Sequence, residues 1–271
     1  MIAISNIAWD VVMDEEVSEV LRTSGVSYID IAPSKYFSHP SEVSEDELLK
    51  VKEYWIQKGI VPLGMQSLLF GTQDLNVFGN LAVQDKLLSH LSDICHIGSI
   101  LGATKLVFGS PKNRNRSHYS DQQAAKEAIC FFTRLGDVAK SKNVVVCLEP
   151  NPTCYQSNFM TNSLDTARIV EAIDHDNIRM QLDIGAMCIN NERASDTIGR
   201  VAHLIHHIHI SEPQLAPLDI TNSYHKEAAE AIQSFVPRMP VSIEMLTTNI
   251  ATAIHEIESS IKVVKKIYQG N

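Results

Sequence analysis

The chain has 271 residues, of which 44% are hydrophobic and 20% are charged, and its net charge is −9. This composition excludes a disordered or fibrous chain and is typical of a globular enzyme. An acidic protein is repelled by a phosphate backbone unless it concentrates its positive charge. The one small basic cluster is Lys112, Arg114 and Arg116, so we expect no nucleic-acid partner.

The cysteines and the first ten residues indicate the cellular compartment of the protein. The five cysteines are scattered and form no C-x-x-C pair, which argues against a disulfide framework and fits a reducing environment. Residues 1–10 have the pattern of a strand, and no run of about 20 apolar residues occurs. We therefore predict a cytoplasmic protein without a membrane partner. The sequence leaves open whether it is a monomer or a homodimer.

Short runs of β-branched and other apolar residues alternate along the chain with longer stretches of helical periodicity. The predicted strands are residues 2–6, 28–32, 61–66, 105–108, 144–148, 179–182, 205–210 and 241–244. The predicted helices are residues 15–23, 45–58, 82–101, 121–142, 163–172, 194–202, 223–235 and 250–268. Ser44, Ser120 and Ser163 stand where a serine can accept the free N–H groups of a first helical turn.

Eight strands that alternate with eight helices imply parallel pairing, because each strand needs a crossover to reach its neighbour. A unit of about 34 residues matches a closed barrel of about 250 residues. The alternative is an open doubly wound sheet, which usually has a Gly-rich turn after its first strand. Residues 7–10 (IAWD) provide no such turn. The sequence therefore predicts an α/β fold, a single (β/α)8 TIM barrel, with residues 1–271 as one domain.

Charged residues stand at the ends of four consecutive predicted strands, where the functional residues of such barrels lie. They are Glu149, Asp183, His209 and Glu244, at steps of 34, 26 and 35 residues. Taken singly, each has a structural explanation as a helix cap, a salt-bridge partner or a core histidine. Taken together, three converging carboxylates would repel one another, and a bound cation removes that conflict. We predict one divalent metal ion there, Mn²⁺, Mg²⁺, Co²⁺ or Zn²⁺.

At these residues the sequence resembles the sugar isomerase/epimerase superfamily of xylose-isomerase-like TIM barrels, and the resemblance spans nearly the whole chain. Four segments look like the metal-ligand segments of that superfamily, in order: LEPNP at 148–152, QLDIG at 181–185, HIHIS at 207–211 and SIEM at 242–245. A fifth segment, VFGSPKNR at 107–114, looks like one found in members of the group.

The resemblance to the ketose 3-epimerases of that superfamily implies catalytic roles for Glu149 and Glu244. One carboxylate would remove a proton from the carbon next to a carbonyl, and the other would return it on the opposite face. The metal would polarise the carbonyl and stabilise an enediolate. Those epimerases carry a Glu, a His and an Arg where this chain has Tyr155, Ala186 and Leu215, so it departs from them at positions that hold free ketose.

Seven further side chains follow predicted strands and are candidates for substrate binding: Trp9, Gln66, Lys112, Arg114, Tyr155, Asn158 and Glu212. The cations could hold a phosphate or carboxylate, and Trp9 could stack on a sugar face. The alternatives are a solvated loop for the cations and packing under the loops for Trp9. Glu212 could instead orient the imidazole of His209.

These observations predict a metal-dependent isomerase or epimerase whose partner is a small sugar or sugar phosphate. A dehydratase or lyase of the inosose dehydratase type is an alternative, because it shares the first proton abstraction. A nuclease resembling AP endonuclease would need extra His ligands where Gln66, Gly109 and Ser110 stand. A non-catalytic binding protein is the remaining alternative, since fold alone does not establish function.

Overall fold

The computed structural model describes residues 1–269, and its eight strands pair in parallel, in sequence order, to form a closed barrel. The strands are β1 (Ile2–Ser5), β2 (Tyr28–Ile31), β3 (Val61–Met65), β4 (Lys105–Phe108), β5 (Val145–Leu148), β6 (Ile178–Asp183), β7 (Ile205–Ser211) and β8 (Val241–Glu244). Pairing of β1 with β8 closes the ring. The predicted single (β/α)8 TIM barrel is confirmed.

The helices follow the strands as the crossover rule requires. They are α1 (Asp14–Thr23), α2 (Glu45–Gln57), α3 (Leu81–Leu101), α4 (Asp121–Ser141), α5 (Ser163–Ile173), α6 (Ile184–Ile189), α7 (Ala194–Val201), α8 (Tyr224–Phe235) and α9 (Ala253–Tyr268). The sequence prediction lacked α6, because six residues are too few to show helical periodicity. Over residues 1–269, no helix is long and apolar enough to cross a lipid bilayer.

Polar side chains fill part of the barrel interior. The carboxylate of Asp30 on β2 lies 2.7 Å from the imidazole Nε2 of His207 on β7. These strands are not neighbours in the ring, so the two side chains meet inside it. The residues that flank Asp30, Ile29 and Ile31, are completely buried and belong to the apolar core that includes the helices. The strands therefore separate a polar interior from an apolar layer beneath the helices.

Two of the three predicted helix caps are confirmed. Ser44 and Ser120 each form a capping box, in which the side chain three residues later returns a hydrogen bond to the backbone of the serine. The prediction for Ser163 is wrong by one residue. Asn162 has the extended backbone of a cap and accepts from the N–H of Asp165, and asparagine caps a helix as well as serine does.

Ser120→Ala removes the capping box of α4 and should lower the free energy of unfolding by about 1 kcal/mol. In a domain of this size that loss corresponds to a drop in melting temperature of about 2–4 °C, measurable by thermal denaturation. Ser141→Ala is the control in the same helix, because its exposed hydroxyl bonds only to the carbonyl of Val138. Equal shifts in the two variants would contradict the capping role.

Candidate metal centre

Four side chains meet at the carboxyl ends of β5 to β8. Glu149, Asp183, His209 and Glu244 each place one ligand atom within 4.8 Å of the others. The Nδ1 of His209 lies 3.5 Å from Oε1 of Glu149 and 3.2 Å from Oε2 of Glu244. All four side chains are buried, and His209 is completely so. This geometry allows one small cation to contact all four.

The register of the parallel strands places these residues at the same height along the barrel. Asp183 pairs with His209 between β6 and β7, and Glu244 of β8 pairs with Ser211. Glu149 continues β5, since its N–H donates to the carbonyl of Phe108. Glycine at position 109 leaves room for the carboxylate of Glu149, because a Cβ there would force that side chain to move.

Without a bound cation, only protons can offset the negative charges of the three carboxylates in this cluster. Burial and then the carboxylates of Glu244 and Glu149 raise the pKa of Asp183 to about 8. Burial alone would lower the pKa of His209, but Glu244 and the other acceptors raise it well above its usual value. Because carboxylates this close cannot all ionise freely, the cluster retains protons near neutral pH. A divalent cation fits the same three oxygens and one nitrogen and would supply the missing positive charge.

Hydrogen bonds fix one oxygen of each carboxylate. The amide of Gln66 donates to Oε1 of Glu244 at 2.6 Å, and the amide of Asn151 donates to Oε2 of Glu149 at 3.2 Å. The hydroxyl of Ser211 donates to Oδ2 of Asp183 at 2.8 Å. Such bonds orient potential metal ligands and limit their rotation. The sequence prediction missed Asn151 and Ser211, although both lie in the motif segments.

Asp30 and His207 lie on the interior side of the cluster. Oδ2 of Asp30 is 3.6 Å from Nε2 of His209, on the side of the ring opposite to Nδ1. Burial alone would raise the pKa of Asp30, but His207 and His209 hold it far below its usual value. An anion at this position favours a proton on Nε2 of His209, which leaves the Nδ1 lone pair free for a cation. The sequence signal for Asp30 is an aspartate within an otherwise apolar strand, whereas the sequence prediction rests on residues at strand ends.

The cluster forms part of the wall of an open cavity of about 510 Å³. Three predicted substrate residues, Gln66, Tyr155 and Glu212, line this cavity. The phenol of Tyr155 accepts from the N–H of Gln214 at 2.7 Å, and the side chain is 37% exposed. Ala186 and Leu215 also line the cavity.

Glu212 has a different neighbour from the one predicted. Its carboxylate lies 3.0 Å from Nε2 of His225 and accepts from the amide of Asn222 at 2.7 Å. The imidazole that it orients is therefore that of His225, not that of the ligand His209. His225 in turn contacts the phenol of Tyr268 at 2.7 Å. Sequence reasoning missed this partly buried series of hydrogen bonds. Burial opposes ionisation of Glu212, but the bond to His225 and the other donors lower its pKa.

Four other predicted substrate residues do not line the cavity. Trp9 is 3% exposed, and its indole N–H donates to Asp14 at 2.8 Å while the ring packs against Trp55. The ammonium of Lys112 donates to the carbonyl of Thr72 at 3.0 Å. The indole bonds within the core and the ammonium bonds to a loop, so the structure does not place either on the cavity wall.

Arg114 and Asn158 are the other two predicted residues outside the cavity wall. Arg114 is completely buried and donates to the carbonyl of Glu149 at 2.6 Å and to the side chain of Asn151 at 2.5 Å. It therefore supports the end of β5 rather than a substrate phosphate. Asn158 bonds to the side chain of Asn115 at 2.8 Å and to the N–H of Arg116 at 3.0 Å. Both residues hold loops together.

Asp30→Asn should weaken the binding of Mn²⁺ by about 10–100-fold, the usual effect of removing a group that orients a metal-bound histidine. Isothermal titration of metal-free protein with Mn²⁺ measures this directly. The matched control is Asp176→Asn, which alters an exposed aspartate outside the barrel interior. Equal Mn²⁺ affinities in the two variants, with both folded by circular dichroism, would contradict the role of Asp30.

Several solved structures share this fold at low sequence identity. D-psicose 3-epimerase from Clostridium cellulolyticum H10, solved with D-tagatose, has a TM-score of 0.84 at 14% identity over 98% of this chain and 99% of its own. The 3-keto-D-glucoside 4-epimerase YcjR from E. coli has a TM-score of 0.77 at 16% identity over 98% of both chains. L-ribulose 3-epimerase has a TM-score of 0.75 at 17% identity over 98% of this chain and 95% of its own.

No curated protein matches the sequence. A family model does match it: the model described as xylose isomerase-like TIM barrel covers residues 19–256, most of the chain and seven of its eight strands. The match includes all four residues of the candidate metal centre. The chain belongs to the xylose isomerase-like TIM barrel family.

Proposed function

We propose that this protein is a divalent-metal-dependent sugar isomerase or epimerase that moves a proton next to a carbonyl through an enediolate. The observation that carries the proposal is the placement of two carboxylates, those of Glu149 and Glu244, beside the same nitrogen of one imidazole. Their oxygens lie 3.5 and 3.2 Å from Nδ1 of His209, and both side chains line the same cavity. Two carboxylates at one reacting centre are what removal and return of a proton require.

In this mechanism Glu149, Asp183, His209 and Glu244 would hold the metal ion. When bound, the ion polarises the substrate carbonyl and stabilises the negative charge that develops on its oxygen. Glu149 and Glu244 exchange the proton with the substrate carbon, one as the base and the other as the acid. Gln66 would keep the Glu244 carboxylate in a fixed orientation, since its amide already donates to Oε1.

A sugar substrate is supported by the cavity and by the structural neighbours. Those neighbours are sugar epimerases, and we extend that reaction class to this chain. Glu212, Asn151 and Tyr155 supply polar groups on the wall that would bond to hydroxyls. Ala186 and Leu215 leave the wall less polar than the resemblance implied, so the particular sugar should differ from theirs.

The test is deuterium exchange. Metal-loaded protein is incubated in D₂O with a panel of ketoses and inososes, and incorporation of deuterium is followed by NMR. Retention of all oxygen atoms identifies isomerisation or epimerisation, whereas loss of water would assign the lyase alternative. No exchange with any member, at full metal occupancy, would contradict the proposal.

Glu149→Gln and Glu244→Gln should each lower the exchange rate by at least about 100-fold, since a positioned acid or base contributes about 10²–10⁴-fold. The rate is measured with the substrate on which the wild type acts fastest. Glu230→Gln, at an exposed position on α8, is the matched control and should keep the wild-type rate. Wild-type rates in both active-site variants would remove these residues from the mechanism.

A further inference from the structure

In the part of the chain that the structure describes, the wall of the cavity has several carboxylates and no basic side chain. Four carboxylates line it, those of Glu149, Asp183, Glu212 and Glu244. Within the described residues 1–269, no lysine, arginine or histidine is among the lining side chains. The cations of the loop after β4 are engaged elsewhere: Lys112 with a carbonyl, Arg114 in the buried interior and Arg116 with Asp121.

This charge distribution disfavours a phosphorylated substrate. A phosphate group is normally bound by arginine, lysine or a row of N–H donors, and it carries close to two negative charges. The charges of a divalent cation would be outnumbered by the carboxylates of the cavity. Like charges brought together in a binding site repel each other, so a phosphate would be rejected rather than recognised.

Part of the cavity wall is apolar. Leu68, Leu69 and Phe70 from the loop after β3, Pro111 from the loop after β4, and Leu215 from the loop after β7 line it. Phe70 is 75% exposed and stands beside four other apolar lining residues, so together they form an apolar patch that a ligand in the cavity could cover. A sugar with hydroxyl groups on every carbon would leave this wall in contact with polar atoms.

A second hollow of about 230 Å³ adjoins the cavity and shares Ser67, Leu68 and Phe70 with it. Its remaining apolar lining includes Phe37 and Ile94. Phe70 therefore borders both spaces. A group that extends from the metal centre along the apolar wall would pass this ring and enter the second hollow.

We propose that the substrate is an unphosphorylated carbohydrate with an apolar substituent, which lies against Phe70 and extends toward the second hollow. This inference rests on the proposed function and specifies its substrate class. The sugar lies over the metal centre, where the carboxylates of Glu212 and the cluster face its hydroxyls. The substituent covers the apolar wall, and its burial supplies binding energy that a free sugar lacks.

Three probes that differ at one carbon test this proposal: D-fructose, its 6-phosphate and its 6-O-benzyl ether. All three keep the same carbonyl and the same neighbouring hydrogen. Dissociation constants are measured by isothermal titration of the Mn²⁺-loaded protein. We expect the benzyl ether to bind at least about tenfold more tightly than D-fructose, and the phosphate at least about tenfold more weakly.

Phe70→Ala locates the binding site of the substituent. It should abolish the advantage of the benzyl ether over D-fructose, so that the ratio of their dissociation constants falls to about one. Phe235→Ala is the matched control, since that phenyl ring is 48% exposed at the end of α8 and lies outside the cavity. The control should keep the wild-type ratio.

Two results would overturn the inference: a 6-phosphate that binds as tightly as D-fructose, or a benzyl ether that binds no more tightly than D-fructose. The proposed function is tested separately, by measuring deuterium exchange into the same compounds and into the ketose panel. Exchange without the expected order of affinities rejects the substrate class alone. The expected affinities without exchange reject the proton-transfer mechanism and leave a binding site for such a carbohydrate.

Discussion

The mutual repulsion of three buried carboxylates at one end of the barrel is the constraint on which the site depends. Glu149, Asp183 and Glu244 lie close together in a buried place, and burial followed by the charges of the other two carboxylates raises the pKa of Asp183 to about 8. The surrounding structure holds them there nevertheless. His209 stands among them, Asp30 stabilises that imidazole from the interior, and hydrogen bonds fix the outer oxygens. An arrangement that costs stability in this way is expected where function requires it.

The sequence predicted that these four side chains lie together, because in a closed parallel barrel the spacing of residues along the chain determines which of them are neighbours. Residues one βα unit apart, at the ends of successive strands, must lie side by side at one end of the ring. The bounds of β4 and β8 matched the prediction residue for residue. Asp30 and His207 were missed because their contact crosses the barrel between strands that are not neighbours. No local pattern reports which interior side chains meet across the axis.

The contacts of loop side chains were less predictable, because the position of a residue on a βα loop does not determine where its side chain points. Arg114 follows β4, as a phosphate-binding arginine would, but its guanidinium turns inward to the carbonyl of Glu149, 35 residues away. Trp9 likewise points away from the cavity: its indole N–H donates to Asp14, and its ring packs against Trp55. Long-range hydrogen bonds of this kind depend on the whole fold. Their effect is to remove every predicted cation from the cavity and leave it acidic on one wall and apolar on another.

The central claim is that one divalent cation unites Glu149, Asp183, His209 and Glu244. Anomalous diffraction from crystals grown with Mn²⁺ tests it without reference to any substrate. The account predicts a single strong peak about 2–2.5 Å from one atom of each of the four side chains, the usual range for divalent cations bound to oxygen and nitrogen. The absence of a peak at saturating Mn²⁺, or a peak that contacts other residues instead, would contradict it.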